Sequence, residues 1–175
     1  MKKIIVTFVL VLMPTLFFAQ SMFDKFEDED EIVSVLVNKK MFELMGNVKS
    51  DPNNKSSQQF FDLIKRLDNL KVFTTESTKH KAEMKKTVDA YLKKYPLEEL
   101  MRINEGGRSI KIYVKSGATS SQVKELLMFM DGGDEETVLM SLTGNFDIKE
   151  ISFLTDYMKI PGGDEIKKAS SKKSK

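Results

Sequence analysis

The chain is 175 residues long, with 28 basic and 26 acidic side chains, one histidine, no cysteine and no tryptophan, a length that suits one domain. Both surplus positive charges are Lys2 and Lys3, and residues 20–166 carry 21 basic against 26 acidic groups, which excludes a nucleic-acid-sized basic surface. The missing cysteine excludes a disulfide framework, a zinc thiolate site, a cysteine nucleophile and an iron–sulfur cluster.

Residues 1–19, MKKIIVTFVLVLMPTLFFA, have a basic start, an apolar run from Ile4 to Phe18 and a small residue at Ala19. That layout predicts a secretory signal peptide; the run is short for a membrane span and contains Pro14. Cleavage after Ala19 releases a chain that starts at Gln20. With no cysteine behind the apolar run, lipid attachment there is chemically impossible. The expected location is therefore the periplasm or the medium, with no lipid or membrane anchor.

The stretch 20–30 is a short amphipathic segment that places Met22, Phe23 and Phe26 on one side and then turns acidic from Glu27 to Glu31. Ile32–Asn38, a β-branched run, predicts a buried strand. Asn38 caps an expected short helix over KKMFELMG with Met41, Phe42 and Met45 on its apolar side. A second helix is expected from Ser57 to Leu67, with Ser56 and Gln59 as a capping box. Asn69–Thr75 alternates as a strand does. A third helix, Thr78–Lys94, presents Met84, Val88 and Tyr91 and stops before Pro96.

Four strands follow. Leu97–Ile103 would also suit a helical turn, whereas Ser109–Lys115 alternates cleanly. Gln122–Met130 has good helix formers, but the polar Asp131–Asp134 connection and the following Thr137–Thr143 favour a hairpin. Gly144 is read as a turn glycine. Asp147 and Glu150 form a capping box for a closing helix that buries Ile148, Ile151, Leu154 and Met158. The sum is a single α+β domain over residues 31–160, a mostly antiparallel sheet with helices packed on one face. A lysine-rich disordered tail is expected over residues 161–175.

Few residues carry chemistry. His80, the one imidazole, lies toward the apolar side of the third helix and is read as structural. No catalytic residue, metal ligand or cofactor is assigned, and no nucleotide-binding glycine loop is present. Glu125 shares a strand face with Val123, Leu127 and Phe129 and so needs a partner, either Lys111 or Lys115 on the neighbouring strand, or a ligand. Asp131 and Asp134 bracket a glycine turn that suits either a solvated hairpin or oxygen ligation of calcium. Phe23 and Phe26 either dock on a partner or cover the domain's own core. The nine methionines beyond residue 20, Met128 and Met140 among them, suit core filling.

The order MFDKF, NKKMFELM, LDNLKVFTTES, YPLEELMRINEGGRSIKIYVKSG, KELLMFMDGGDEETVLMSLTGNFDI and ISFL, which spans Met22–Leu154, resembles a family of uncharacterised envelope proteins of Bacteroidetes-type bacteria, many of them lipoproteins. The resemblance implies no activity and no catalytic residues, and this chain departs from the lipidated members in lacking the cysteine. The function expected from these readings is a non-enzymatic envelope protein that binds or scaffolds an envelope protein or polymer. The alternatives are a small enzyme using carboxylates such as Glu125 and Asp131, and a calcium-dependent adhesion module.

Overall fold

A computed structural model describes residues 22–47, 54–119, 121–151, 164, 166 and 167. The expected signal peptide, and Leu154 and Met158 of the expected closing helix, lie outside the described residues. Six strands form one sheet: β1 (Val33–Asn38), β2 (Leu67–Thr75), β3 (Glu98–Glu105), β4 (Arg108–Ser116), β5 (Gln122–Asp131) and β6 (Thr137–Asp147), in the order β1-β2-β6-β5-β4-β3. Every neighbouring pair is antiparallel. The helices are α1 (Lys39–Gly46), α2 (Lys55–Ile64) and α3 (Thr78–Lys94). Among the described residues, a 3-10 turn, Asp24–Phe26, precedes β1, and a second, Ile148–Glu150, follows β6.

The local chemistry of the ends explains most boundaries. Asn38 accepts the Met41 amide at 3.0 Å and starts α1 as expected. For α2 the cap is Asn54, which accepts the Ser57 amide, so the helix begins before the expected Ser56 cap and ends at Ile64. Asp147 and Glu150 form the expected capping box. Between β3 and β4, Gly106 and Gly107 both have positive φ, the requirement of a type I′ two-residue hairpin turn.

Helices cover both faces of the sheet rather than one, which corrects the expected architecture. On one face Phe42 of α1 and Leu63 and Ile64 of α2 pack with Leu70, Val72, Ile112, Val114, Leu126, Met128, Met140 and Leu142. On the other, Met84, Val88 and Tyr91 of α3 pack with Phe73, Tyr113, Leu127, Phe129 and Leu139. A chain that returns from β2 at one side to β3 at the far edge must cross the sheet, and α3 makes that crossing. Central strands buried on both sides read as continuous apolar runs, which is why LLMFM in β5 loses its alternation. Burial of Met84 and Val88 contributes about 1.5–3 kcal/mol each.

Three further expectations change. β1 is an edge strand with a largely exposed surface, not a buried one. Gly144 lies within β6, opposite Leu67, and not in a turn; a Cβ there would meet the Arg66 carbonyl oxygen at 2.6 Å and Leu67 Cα at 2.8 Å, so the close approach of two backbones sets this glycine. Ile166, inside the expected tail, is fully buried in the α1/α2-side core, so the core reaches at least to that residue.

Candidate interaction surface

Glu125 and Asp131, the carboxylates singled out for chemistry, have partners within the fold. Glu125 is buried, and its Oε1 accepts a 2.6 Å hydrogen bond from the Tyr91 hydroxyl of α3. Burial raises its carboxyl above the ordinary value, while the Tyr91 hydrogen bond and the Lys115 charge pull it down. Burial and the Glu125 charge in turn hold the Tyr91 phenol well above its usual range, so the hydroxyl remains a donor. Lys115 stands directly across from Glu125 in the strand register. Of the expected partners, Lys115 therefore acts at longer range, and the direct partner is a tyrosine that the helical spacing marked only as apolar. The face expected for Glu125 also splits. A bulge between Val123 and Glu125 turns Val123 into the α1/α2-side core, while Leu127 and Phe129 face α3.

Asp131 and Asp134 do not join Glu125. Asp131 is six residues along the same strand, about 20 Å away at strand rise. It pairs with Lys85 at 2.9 Å and accepts the Gly133 amide, which together hold its carboxyl below the usual range. Lys81 of α3 donates to the Gly133 carbonyl at 3.1 Å and to the Glu135 carbonyl, and Arg108 pairs with Glu135. The hairpin is thereby latched to α3, while Asp134 stays exposed at its tip. Among the described residues no three His, Asp or Glu side chains are grouped to hold a metal ion.

His80 is buried, with Glu31 3.3 Å, Glu83 3.8 Å and Glu29 4.0 Å from its ring nitrogens. The acidic run Glu27–Glu31 thus belongs to a strap that closes over the α3 side. Lys71 of β2, itself buried, donates to Glu27 at 2.6 Å and to Asp24. Thr75 donates to the Glu31 carbonyl at 2.7 Å, and Lys25 pairs with Glu83 at 2.7 Å. Phe26 meets Phe73 edge-on with centroids 5.7 Å apart, and Phe23 lies 4.8 Å from the Tyr91 ring. Both phenylalanines are 1% exposed. Of the two readings of Phe23 and Phe26, the structure shows the second: they cover the domain's own core.

What remains open is elsewhere. The large apolar side chains left exposed are Val33 (70%), Val35 (48%) and Leu36 (45%) on β1, and Met41 (50%) and Leu44 (56%) on α1. Among the described residues these five lie on two consecutive elements beside an unpaired strand edge, a concentration unlike the scatter of single apolar residues normal on a surface. In β1 the β2 register puts Val33, Val35 and Val37 on the α1 side of the sheet and Ser34 and Leu36 on the α3 side, so each face of the edge strand carries at least one exposed apolar side chain. The β-branched run IVSVLVN is expected as a buried strand, and it carries no charge. The same lack of charge, on a strand that two helices separate from its only partner, marks an edge open to another chain.

Residues 26–154 match the domain family described as Domain of unknown function (DUF4252). The chain belongs to the DUF4252 family. The matched region runs from Phe26 through all six strands, so the strap phenylalanine, the Tyr91–Glu125 pair and the β1 edge all lie within the DUF4252 domain. No curated protein and no solved structure matches the chain. No helix among the described residues is long and apolar enough to cross a membrane.

Proposed function

We propose that this DUF4252 chain is a non-catalytic binding or scaffolding domain of the bacterial cell envelope, and that it binds through β1 and α1. The observation that carries this reading is the exposure of Val33, Val35, Leu36, Met41 and Leu44 beside an unpaired sheet edge, while Glu125, Asp131 and the strap phenylalanines are engaged inside the fold. Strand addition suits such an edge: main-chain hydrogen bonds supply affinity, and the apolar side chains on alternate faces supply specificity. Fixed, ordered elements present the patch, so binding needs no large ordering step.

A photoreactive amino acid placed at Leu36 or Leu44 and irradiated in the cells that make the protein should give a discrete higher-mass adduct. The same group at Lys93, at the far end of α3, should give none. Equal labelling at all three positions, or none at any, would overturn the reading.

Export rests on the basic start and apolar run of residues 1–19. Amino-terminal sequencing of the protein recovered from the envelope fraction or the medium should read from Gln20. An intact Met1 would remove the envelope from the proposal.

A further inference from the structure

We infer that the occupant of the β1 edge is the β1 edge of a second copy, paired antiparallel about a two-fold axis to make a continuous sheet across a homodimer; the inference rests on the binding reading above.

The flanking charges of β1 select this occupant. The strand is preceded by Glu29, Asp30 and Glu31 and followed by Lys39 and Lys40, all exposed, with nothing charged between Val33 and Asn38. An antiparallel pairing of this segment with itself therefore brings the acidic end of each copy to the basic end of the other. With a two-fold axis at Val35, the acidic turn Glu29–Glu31 of one copy lies at the same end of the pairing as the start of the other copy's α1, where Lys39 and Lys40 also pair with Asp68 and Glu43 of their own chain. The same register sets Val33 against Val37, Val35 against Val35 and Ser34 against Leu36.

The apolar surface follows the same symmetry. Val37 is already covered on its own chain and sits in the core with Phe42 of α1. Val33, the most exposed of the patch, comes beside Val37 of the second copy, and so beside that copy's α1, where Met41 and Leu44 are exposed. Each α1 then covers the open end of the other chain's β1. In this isologous arrangement Val33, Val35, Met41 and Leu44 gain cover from the second copy on the α1 side, while Leu36 lies on the α3 side.

The opposite edge of the sheet argues for the same conclusion. β3 carries Glu98, Glu99, Arg102 and Glu105 and a bulge between Glu99 and Met101, the devices by which natural sheets keep edges from pairing. β1 has neither a charge, a proline nor a bulge within its span. One edge of this sheet is protected and the other is built to be covered.

Charge swapping at the axis tests this. The protein as its cells process it should sediment as a dimer at micromolar concentration. Val35→Lys and Val35→Glu each place like charges opposite one another at the axis, and each alone should run as a monomer. Mixed in equal amounts, the two variants should return to a dimer, a result that also shows both to be folded. A monomeric parent protein, a Val35→Lys variant that dimerises as the parent does, or variants that stay apart on mixing would each overturn the inference. The photoreactive Leu36 protein separates the two levels: an adduct of twice the chain mass supports the dimer, an adduct with a different protein overturns the dimer and leaves the binding reading standing, and no adduct removes both.

Discussion

Phe26→Ala is expected to lower the unfolding free energy by about 3–5 kcal/mol, the cost of removing a fully buried phenylalanine. Phe26 is 1% exposed, packs edge-on against Phe73 and shares the α3-side core with Met84 and Leu139. Domains of this size have total stabilities of about 5–15 kcal/mol, so the loss should appear as a large fall in the urea midpoint followed by circular dichroism. A surface anchor in the same position would change stability by about 0.5 kcal/mol or less. A near-neutral result would therefore return Phe26 to the role of a partner contact and detach the strap from the fold. Lys71 makes the strap's attachment more than apolar: its ammonium, buried on β2, meets Glu27 and Asp24, and these contacts fix the segment's register over the sheet.

The second large effect concerns the Tyr91–Glu125 pair. Tyr91→Phe deletes the 2.6 Å hydrogen bond to the Glu125 carboxyl, and should cost about 1.5–3 kcal/mol where that carboxyl is ionised. Glu125→Gln retains an acceptor for the hydroxyl and removes the buried charge. Burial raises the Glu125 carboxyl above its ordinary 4.5, so ionisation costs the folded chain more than the unfolded one. The stability associated with the protonated form is complete below about 4.5, the ordinary value in the unfolded chain, and is lost as pH climbs through the raised folded value. Glu125→Gln should accordingly gain on the parent from about pH 4.5 upward and hold a constant advantage above the folded value. Urea unfolding of parent, both single variants and the double variant from pH 4 to 8 measures this. A Glu125→Gln chain less stable than the parent at neutral pH would mean that the charge is required, and would revive a ligand for it.

Much of the architecture was legible from residues alone. α3 was bounded correctly from Thr78 to Lys94 because a 3.6-residue apolar stripe ends at a proline. β4 was found from clean alternation, and β5 from the glycine connection that follows it. The errors share a physical cause: sequence patterns report how apolar a residue is, not which side of a sheet it faces or what covers it. IVSVLVN reads the same whether helices or a second chain conceal it. The bulge beside Lys124 moves Val123 to the other face without any proline or glycine to announce it. Glu125 was identified as needing a partner, but a tyrosine 34 residues away belongs to tertiary structure. Lys71 lies in an alternating strand, and nothing in that pattern names Asp24 and Glu27, 47 and 44 positions earlier, as the groups that neutralise it.

The charged β3 edge has a consequence for how far copies can assemble. A sheet open at both sides has two sticky ends, and each addition leaves another, which is how strand pairing runs on into fibres. Here β1 is the only uncharged edge among the described residues, and β3 presents Glu98, Glu99, Arg102 and Glu105 at the other. The sheet has a valence of one: whatever pairs with β1 completes it, and growth ends there.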